Sequence, residues 1–185
     1  METKEIEVRF LEVDKEALVK KLISLGAKDR GEVMLEEAII YGPEDKWLNE
    51  RRLVRIRKSG ESVKVTYKEY TEVAIGGASE VEFEVEDFKK AELFFEKIGL
   101  PAYRHQQKKR HTLEYNGVTF DIDTWPRVPV YVELEGPSEE SLREVAKAVG
   151  LDWTKHEVRD PRWVIENIYK IPIGTMRWFT FDRFE

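Results

Sequence analysis

The sequence predicts an α+β fold built on an antiparallel sheet, and two observations carry that reading. One is a period-2 alternation in which charged and large apolar residues exchange places along segment after segment. The other is a set of amphipathic helical stretches between those segments, each opened by a capping residue and most closed by a glycine. At 185 residues a single domain spanning 1–185 is the expected organisation. A hydrophobic fraction of 41%, with five Trp and nine Phe, is enough for its core. The charged fraction, 37%, is well above the usual quarter and calls for an explanation.

The elements follow in order. Glu5, Glu7 and Arg9 share one face of a first strand, and Ile6, Val8 and Phe10 share the other. Asp14 caps a helix to Leu25 whose stripe is Leu18, Leu22 and Leu25, with Gly26 as its stop. Arg55 and Arg57 then oppose Val54 and Ile56; Lys64, Thr66 and Lys68 oppose Val63, Val65 and Tyr67; Glu80, Glu82 and Glu84 oppose Val81, Phe83 and Val85. A second helix starts near Asp87, presents Phe88, Ala91, Phe95 and Ile98, and stops at Gly99. Lys108, Arg110 and Glu114 oppose Leu113 and Tyr115, Asp121 and Asp123 oppose Phe120 and Ile122, and Glu133 and Glu135 oppose Val132 and Leu134. A third helix starts near Ser138, presents Leu142, Val145, Ala146 and Val149, and stops at Gly150; a fourth runs from Asp160, with Pro161 in its first turn, to about Tyr169.

Nearly every strand therefore has a charged face, and two arrangements explain it. An open sheet would turn that face to solvent and pack the other on helices. A closed barrel would turn it inward onto a wet tunnel, which suits the segregation of acid and base on different strands. In a dry core such ions would each cost several kcal/mol, so the barrel needs water, metal and ligand to complete it. Periodicity alone leaves both open.

Composition removes several functional classes. With no Cys, disulfides, zinc ribbons and thiol catalysis are excluded. Neither the start of the chain nor any later stretch has the apolar run of a signal or spanning segment, so a cytoplasmic protein with no membrane partner is expected. A net charge of −6 argues against a nucleic-acid surface, and an anionic ligand would need a local concentration of positive charge.

The residues themselves resemble a known family. Glu5-Ile6-Glu7-Val8-Arg9 resembles the Glu-x-Glu-x-Lys signature that opens CYTH proteins, the group of class IV adenylyl cyclases, thiamine triphosphatases and inorganic triphosphatases. Leu53-Val54-Arg55-Ile56-Arg57 and Val65-Thr66-Tyr67-Lys68 resemble that family's next strands; Glu80 and Glu82, Lys108 and Arg110, Asp123, then Val132-Glu133-Leu134-Glu135 follow in the expected order. The likeness covers about residues 1–150 and, from Glu36 through Tyr41 to Arg57, is most like the class IV cyclase branch. It implies the closed barrel, the triphosphate tunnel, with charged interior and helices outside.

Carried over residue by residue, the resemblance implies that Glu5, Glu7, Glu133 and Glu135 hold Mg²⁺ or Mn²⁺, as a pair of ions, with Asp123 and Glu82 assisting. Arg55, Arg57, Lys68, Lys108 and Arg110 would grip the triphosphate, joined by Lys64 and Arg9, and the implied catalytic set is Glu5, Glu7, Arg9 and Asp123. Hard cations suit carboxylate oxygen, arginine forks suit phosphate oxygens, and phosphoryl chemistry of this kind needs no Ser or Cys nucleophile. The implied activity is that of an adenylyl cyclase-like enzyme making cyclic AMP and pyrophosphate from ATP. The alternatives are a triphosphatase acting in the same tunnel and a module that binds polyphosphate or nucleotide without turnover.

Departures from the family pattern are Arg9 in place of Lys, Ala78 in place of an Arg, the stiff turn Trp125-Pro126-Arg127-Val128-Pro129, and an aromatic tail at 176–185 with no counterpart. In that tail Phe179 and Phe181 share one strand face and Trp178 and Phe184 the other, so it either folds over its own barrel or joins a homodimer. His105, His111 and His156 read as surface or structural residues, and Lys108 to His111 as a run divided between tunnel and surface. Glu36-Glu37 and Glu139-Glu140 read as solvated, Asp121 as a partner of a ligand, and Trp47 as a packed aromatic near a tunnel mouth.

Overall fold

The computed structural model describes residues 3–185. Its strands are β1 (Thr3–Glu5), β2 (Glu7–Phe10), β3 (Lys28–Ile40), β4 (Arg52–Ser59), β5 (Ser62–Tyr70), β6 (Ala78–Val85), β7 (Arg104–Tyr115), β8 (Val118–Thr124), β9 (Tyr131–Glu135) and β10 (Trp178–Phe179). The α-helices are α1 (Lys15–Ser24), α2 (Lys46–Asn49), α3 (Phe88–Lys97), α4 (Glu139–Val149) and α5 (Pro161–Asn167).

The sheet runs β1-β6-β5-β4-β3-β7-β8-β9-β2 with every neighbour antiparallel, and β10 adds to β7 in parallel. It curls into an open half-barrel with the helices outside. The strands at the two ends of the order are successive pieces of one segment, β1 pairing β6 (Glu5↔Ala78) and β2 pairing β9 (Glu7↔Glu135, Arg9↔Glu133). Between them Ile6 belongs to neither strand, and its carbonyl accepts from the Gly136 amide at 3.1 Å.

Apolar faces point outward and the predicted helices cover most of them, while Val81 and Phe83 of β6 stay exposed. Leu18 and Leu22 of α1 and Leu142, Val145 and Ala146 of α4 pack on Val8, Phe10, Leu113, Phe120, Ile122, Val132 and Leu134. Phe88, Ala91 and Phe95 of α3 lie against Ala38, Ile40, Val54, Ile56, Val63 and Val65. The caps form as the sequence requires. Asp14, Asp87 and Asp160 accept from Ala17, Lys90 and Trp163 amides at 3.0, 2.8 and 3.0 Å, and Ser138 makes a capping box with Ser141.

The tail folds over its own sheet. Phe179 is 0% exposed in a cluster with Trp125, Tyr131, Ile165, Ile173 and Met176. The expected sharing of faces does not hold, because the strand lasts two residues. The chain then turns back so that Phe184 bridges and packs on Phe179, leaving Phe181 exposed.

Candidate functional site

The inward face of the sheet surrounds a cavity of about 340 Å³. Its wall carries eleven Lys and Arg side chains against eight carboxylates, a positive surplus inside a chain whose net charge is −6. Strand geometry makes this possible. Residues two apart on a strand face the same way. Cross-strand register then sets Arg55 opposite Thr66, Arg57 opposite Lys64 and Lys68 opposite Glu80.

Acidic groups gather where β1, β2 and β9 meet. Lys68 Nζ sits among them, paired with Glu5, 3.1 Å from Glu80 and 3.8 Å from Glu7. Burial pushes the Glu5 carboxyl up to about 8, Glu7 and Glu80 add to the rise, and Lys68 opposes it. Glu135 is likewise raised, by burial and then by Glu7, Asp121 and Glu133. Burial also acts on Glu7 and Glu133, but there cations win: Arg9 and Lys68 hold Glu7 low, while Arg9, Lys108 and Arg110 hold Glu133 low.

Arg9, 1% exposed, is the strut of this region. It donates from Nε to Glu133 at 2.7 Å, from Nη2 to Glu7 at 2.8 Å and from Nη1 to the Arg159 carbonyl at 3.0 Å. Burial opposes its charge, yet Glu7 and Glu133 outweigh burial and raise its pKa, so it stays protonated.

The basic wall lies on β4 and β7. Arg55 Nε is buried with no hydrogen-bond partner among the described residues, and the guanidinium's ion pair with Glu80 is a loose 3.8 Å. Arg57 donates to Glu37 at 2.6 Å, and its pKa is lowered by burial and then by the neighbouring Arg55. Lys108 is lowered by burial and then by Arg110. At the mouth Lys64 and Thr66 hold Glu82 at 2.7 and 2.9 Å.

Most of the residues singled out from the sequence line this cavity: Glu5, Glu7, Arg9, Arg55, Arg57, Lys64, Lys68, Glu82, Lys108, Arg110, Glu133 and Glu135. Asp123 lies behind its wall, 0% exposed, accepting from Lys108 Nζ at 2.6 Å and from Arg110 Nε and Nη2 at 2.7 Å each. Asp121 accepts from Arg110 at 2.5 Å. Glu37, read as solvated, is instead 3% exposed and on the wall, while its neighbour Glu36 is exposed. Arg104, Gln106, Tyr70, Asp160 and Arg162 also line the cavity and were missed. Trp47 packs edge-on against Tyr67 at 6.1 Å, away from the cavity wall.

The histidines have structural partners: His105 stacks on Trp178 at 4.5 Å, His111 meets Asp29 at 2.8 Å, and His156 stacks on Trp153 at 4.8 Å.

Residues 3–157 match the family model of the CYTH domain. The chain belongs to the CYTH family. No match is found among curated proteins. Among solved structures, the PH1012 protein of Pyrococcus horikoshii OT3 is 26% identical, with a TM-score of 0.72 over 84% of this chain and 96% of that one. A conserved hypothetical protein of Pyrococcus furiosus is also 26% identical, with a TM-score of 0.71 over 85% and 97%. A protein of Vibrio parahaemolyticus proposed to be an adenylate cyclase shares the fold at 11% identity, with a TM-score of 0.76 over 89% and 98%. CYTH members include adenylyl cyclase-like enzymes and triphosphatases, enzymes of triphosphates that depend on metal. The match ends before α5, so Asp160, Arg162, Ile165 and Ile173 bring to this CYTH cavity a wall from outside the matched region.

The acidic corner suits a hard divalent cation. Its donors are all carboxylate oxygens, and the raised Glu5 and Glu135 mark negative charge that Lys68 and Arg9 leave uncompensated. Among the described residues no three carboxylate or imidazole groups stand together as a ready cluster, because those two cations are interleaved with them. No described helix is long and apolar enough to cross a membrane.

Proposed function

We propose that this CYTH protein is a divalent-metal-dependent enzyme that hydrolyses a triphosphate bound within the curled sheet. One observation carries the reading, the electrical mismatch at the two sides of one cavity. Burial and like neighbours raise Glu5 and Glu135 on one side and lower Arg57 and Lys108 on the other. A cation relieves the first and a polyanion the second, and a metal-bound triphosphate is both in one ligand.

Arg55 lines the cavity with only a loose ion pair to Glu80, and Arg57, Lys108 and Arg110 surround the same volume, so phosphate oxygens would meet cations of which the last three are already oriented by Glu37 and Asp123. Glu5, Glu7, Glu133 and Glu135 would hold Mg²⁺ or Mn²⁺, which when bound supplies Lewis-acid polarisation of phosphoryl oxygen. Arg9 keeps Glu7 and Glu133 ionised and in place. Arg9 itself, held protonated, has no acid–base role.

Hydrolysis is favoured over cyclisation because the aromatic faces near the cavity are occupied. Tyr41 carries the Arg104 guanidinium at 5.6 Å and packs on Tyr103, and Trp125 carries Lys108 at 5.0 Å. A cyclase must hold adenosine so that its 3′-hydroxyl lies in line with the α-phosphorus, which asks for a free apolar slot. Leu48 and Leu53 on the wall favour that second reading, as a surface on which a base would lie.

The deciding experiment supplies tripolyphosphate and ATP side by side with Mg²⁺ or Mn²⁺ and quantifies orthophosphate, pyrophosphate and cyclic AMP. Orthophosphate from tripolyphosphate, lost in EDTA and restored by either metal, is expected. Cyclic AMP as the main product selects the cyclase, binding without turnover selects the non-catalytic module, and full activity in chelator rejects the metal assignment.

A further inference from the structure

We infer that Arg104 is a positioning residue that ties the C-terminal segment to Arg57; the consequence for phosphate binding rests on the function proposed above. Arg104 is a guanidinium only 2% exposed, and among the described residues it has no carboxylate partner. Its acceptors are neutral: the Ile173 carbonyl at 2.9 Å from Nη1, the Tyr41 hydroxyl at 2.7 Å from Nη2, and Gln106 Oε1 at 2.9 Å from Nε. Gln106 turns its amide to Glu37 Oε2 at 2.5 Å, and Glu37 Oε1 accepts from Arg57 Nε at 2.6 Å.

This is one unbroken file of hydrogen bonds, buried as far as Glu37, from the segment beyond the matched domain to a side chain on the cavity wall. Its polarity is fixed. Gln106 cannot flip, because its amide would then face the Arg104 guanidinium and its oxygen the Glu37 carboxylate. Each member also satisfies the next, so a break at one end orphans buried groups along the file. If the segment leaves, Arg104 Nη1 loses its acceptor and the guanidinium is held by Tyr41 and Gln106 alone, so Gln106, and through it Glu37 and Arg57, is less firmly fixed. Arg110 offers an internal comparison, since its Nε is held by Asp123, outside the file that runs through Arg104, Gln106 and Glu37.

The test is hydrogen exchange at arginine Nε–H, followed by NMR in the full chain for wild type, Arg104→Met and Gln106→Leu. Gln106→Leu cuts the same file without removing a cation, and serves where Arg104→Met fails to fold. Exchange at Arg57 is expected to quicken several-fold in both variants while Arg110 is unchanged, with a roughly tenfold loss of tripolyphosphate affinity by calorimetry. Unchanged Arg57 exchange in a folded variant overturns the inference, as does equal quickening at Arg110, which signals general loosening. Selective quickening in a protein whose wild type binds no tripolyphosphate upholds the tie and rejects the function it was taken to serve.

Discussion

Asp123 separates two chemistries, and Asp123→Asn decides between them. The family resemblance makes it a metal ligand, whereas its contacts make it the counterion of the basic wall. Among the described residues it is the carboxylate within ion-pair distance of Lys108, at 2.6 Å, while Arg110 also has Asp121 and Glu133, each at 2.5 Å. The amide therefore strands Lys108 more than Arg110. Removing one partner of a buried pair costs about 3–5 kcal/mol. The lower end applies, because burial and Arg110 already disfavour charged Lys108 and it can shed its proton when the counterion goes. At about 2–4 °C per kcal/mol for a chain of this size, the melting point should fall by roughly 6–12 °C. Scanning calorimetry at pH 7 without metal, paired with Mg²⁺ titration, reads both quantities. Glu135→Gln is the contrast: its native pKa is raised, so the ionised form costs stability above its unfolded value, and neutralising it should leave melting unchanged or improved while weakening metal binding. An Asp123→Asn protein that melts like wild type but binds Mg²⁺ tenfold more weakly would refute this account.

Three further outcomes are expected. Arg55→Met should cut tripolyphosphate affinity by about 10- to 100-fold, the equivalent of one or two charged hydrogen bonds, without lowering the melting point, since among the described residues Arg55 makes no ion pair closer than 3.8 Å; calorimetric titration and thermal melts check both. Burial pushes the Glu37 carboxyl up, but Arg57, Arg55 and Lys108 prevail and hold it far below the carboxylate range, so its stabilisation is full above about 4.5 and is lost as pH falls toward its native value. Urea melts of wild type and Glu37→Gln should accordingly differ at pH 7 and converge toward pH 3. Truncation after Ile173 removes Met176 and Phe179 from Trp125 and Tyr131, and should cost at least about 3 kcal/mol and induce binding of a hydrophobic dye; unchanged melting and mass would return the tail to irrelevance.

How much was legible in the chain depended on whether a strand separates a wet face from a dry one. β2, β4, β5, β8 and β9 do, and their alternation identified both the elements and the residues of the wall; β6 alternates as clearly in sequence, although its Val81 and Phe83 are exposed. β3 does not: Lys28 to Glu32 is polar throughout, its register slips between Asp29 and Gly31, and it exists because β7 pairs along its length. With β3 unread, Glu36-Glu37 looked like a solvated pair. Adjacent strand residues face opposite ways, so one of the two had to point inward once a strand was recognised. Arg104 and Gln106 carried a similar signal, four and two residues before Lys108 on the same face, but their partners include Ile173 and Glu37 of β3, which local pattern does not reach. Asp123 was assigned to the correct face. What captures its oxygens is the Arg110↔Asp123 register, a property of two strands together.

The same register explains how an acidic chain builds a polyanion site without collapsing it. Cations and carboxylates interleave across the inward face, so Arg9 lies between Glu7 and Glu133, Lys68 among Glu5, Glu7 and Glu80, and Arg110 among Asp121, Asp123 and Glu133. Each ion's desolvation is thereby met in part by a neighbour, and each neighbour is held at a defined rotamer, which is the preorganisation that phosphoryl chemistry asks of a protein. Complete pairing would abolish the site, since a neutral, fully bonded interior has nothing left to offer a ligand. What that pairing leaves on the wall is a carboxyl corner where burial and like charge raise Glu5 and Glu135, and an arginine, Arg55, whose ion pair with Glu80 is a loose 3.8 Å.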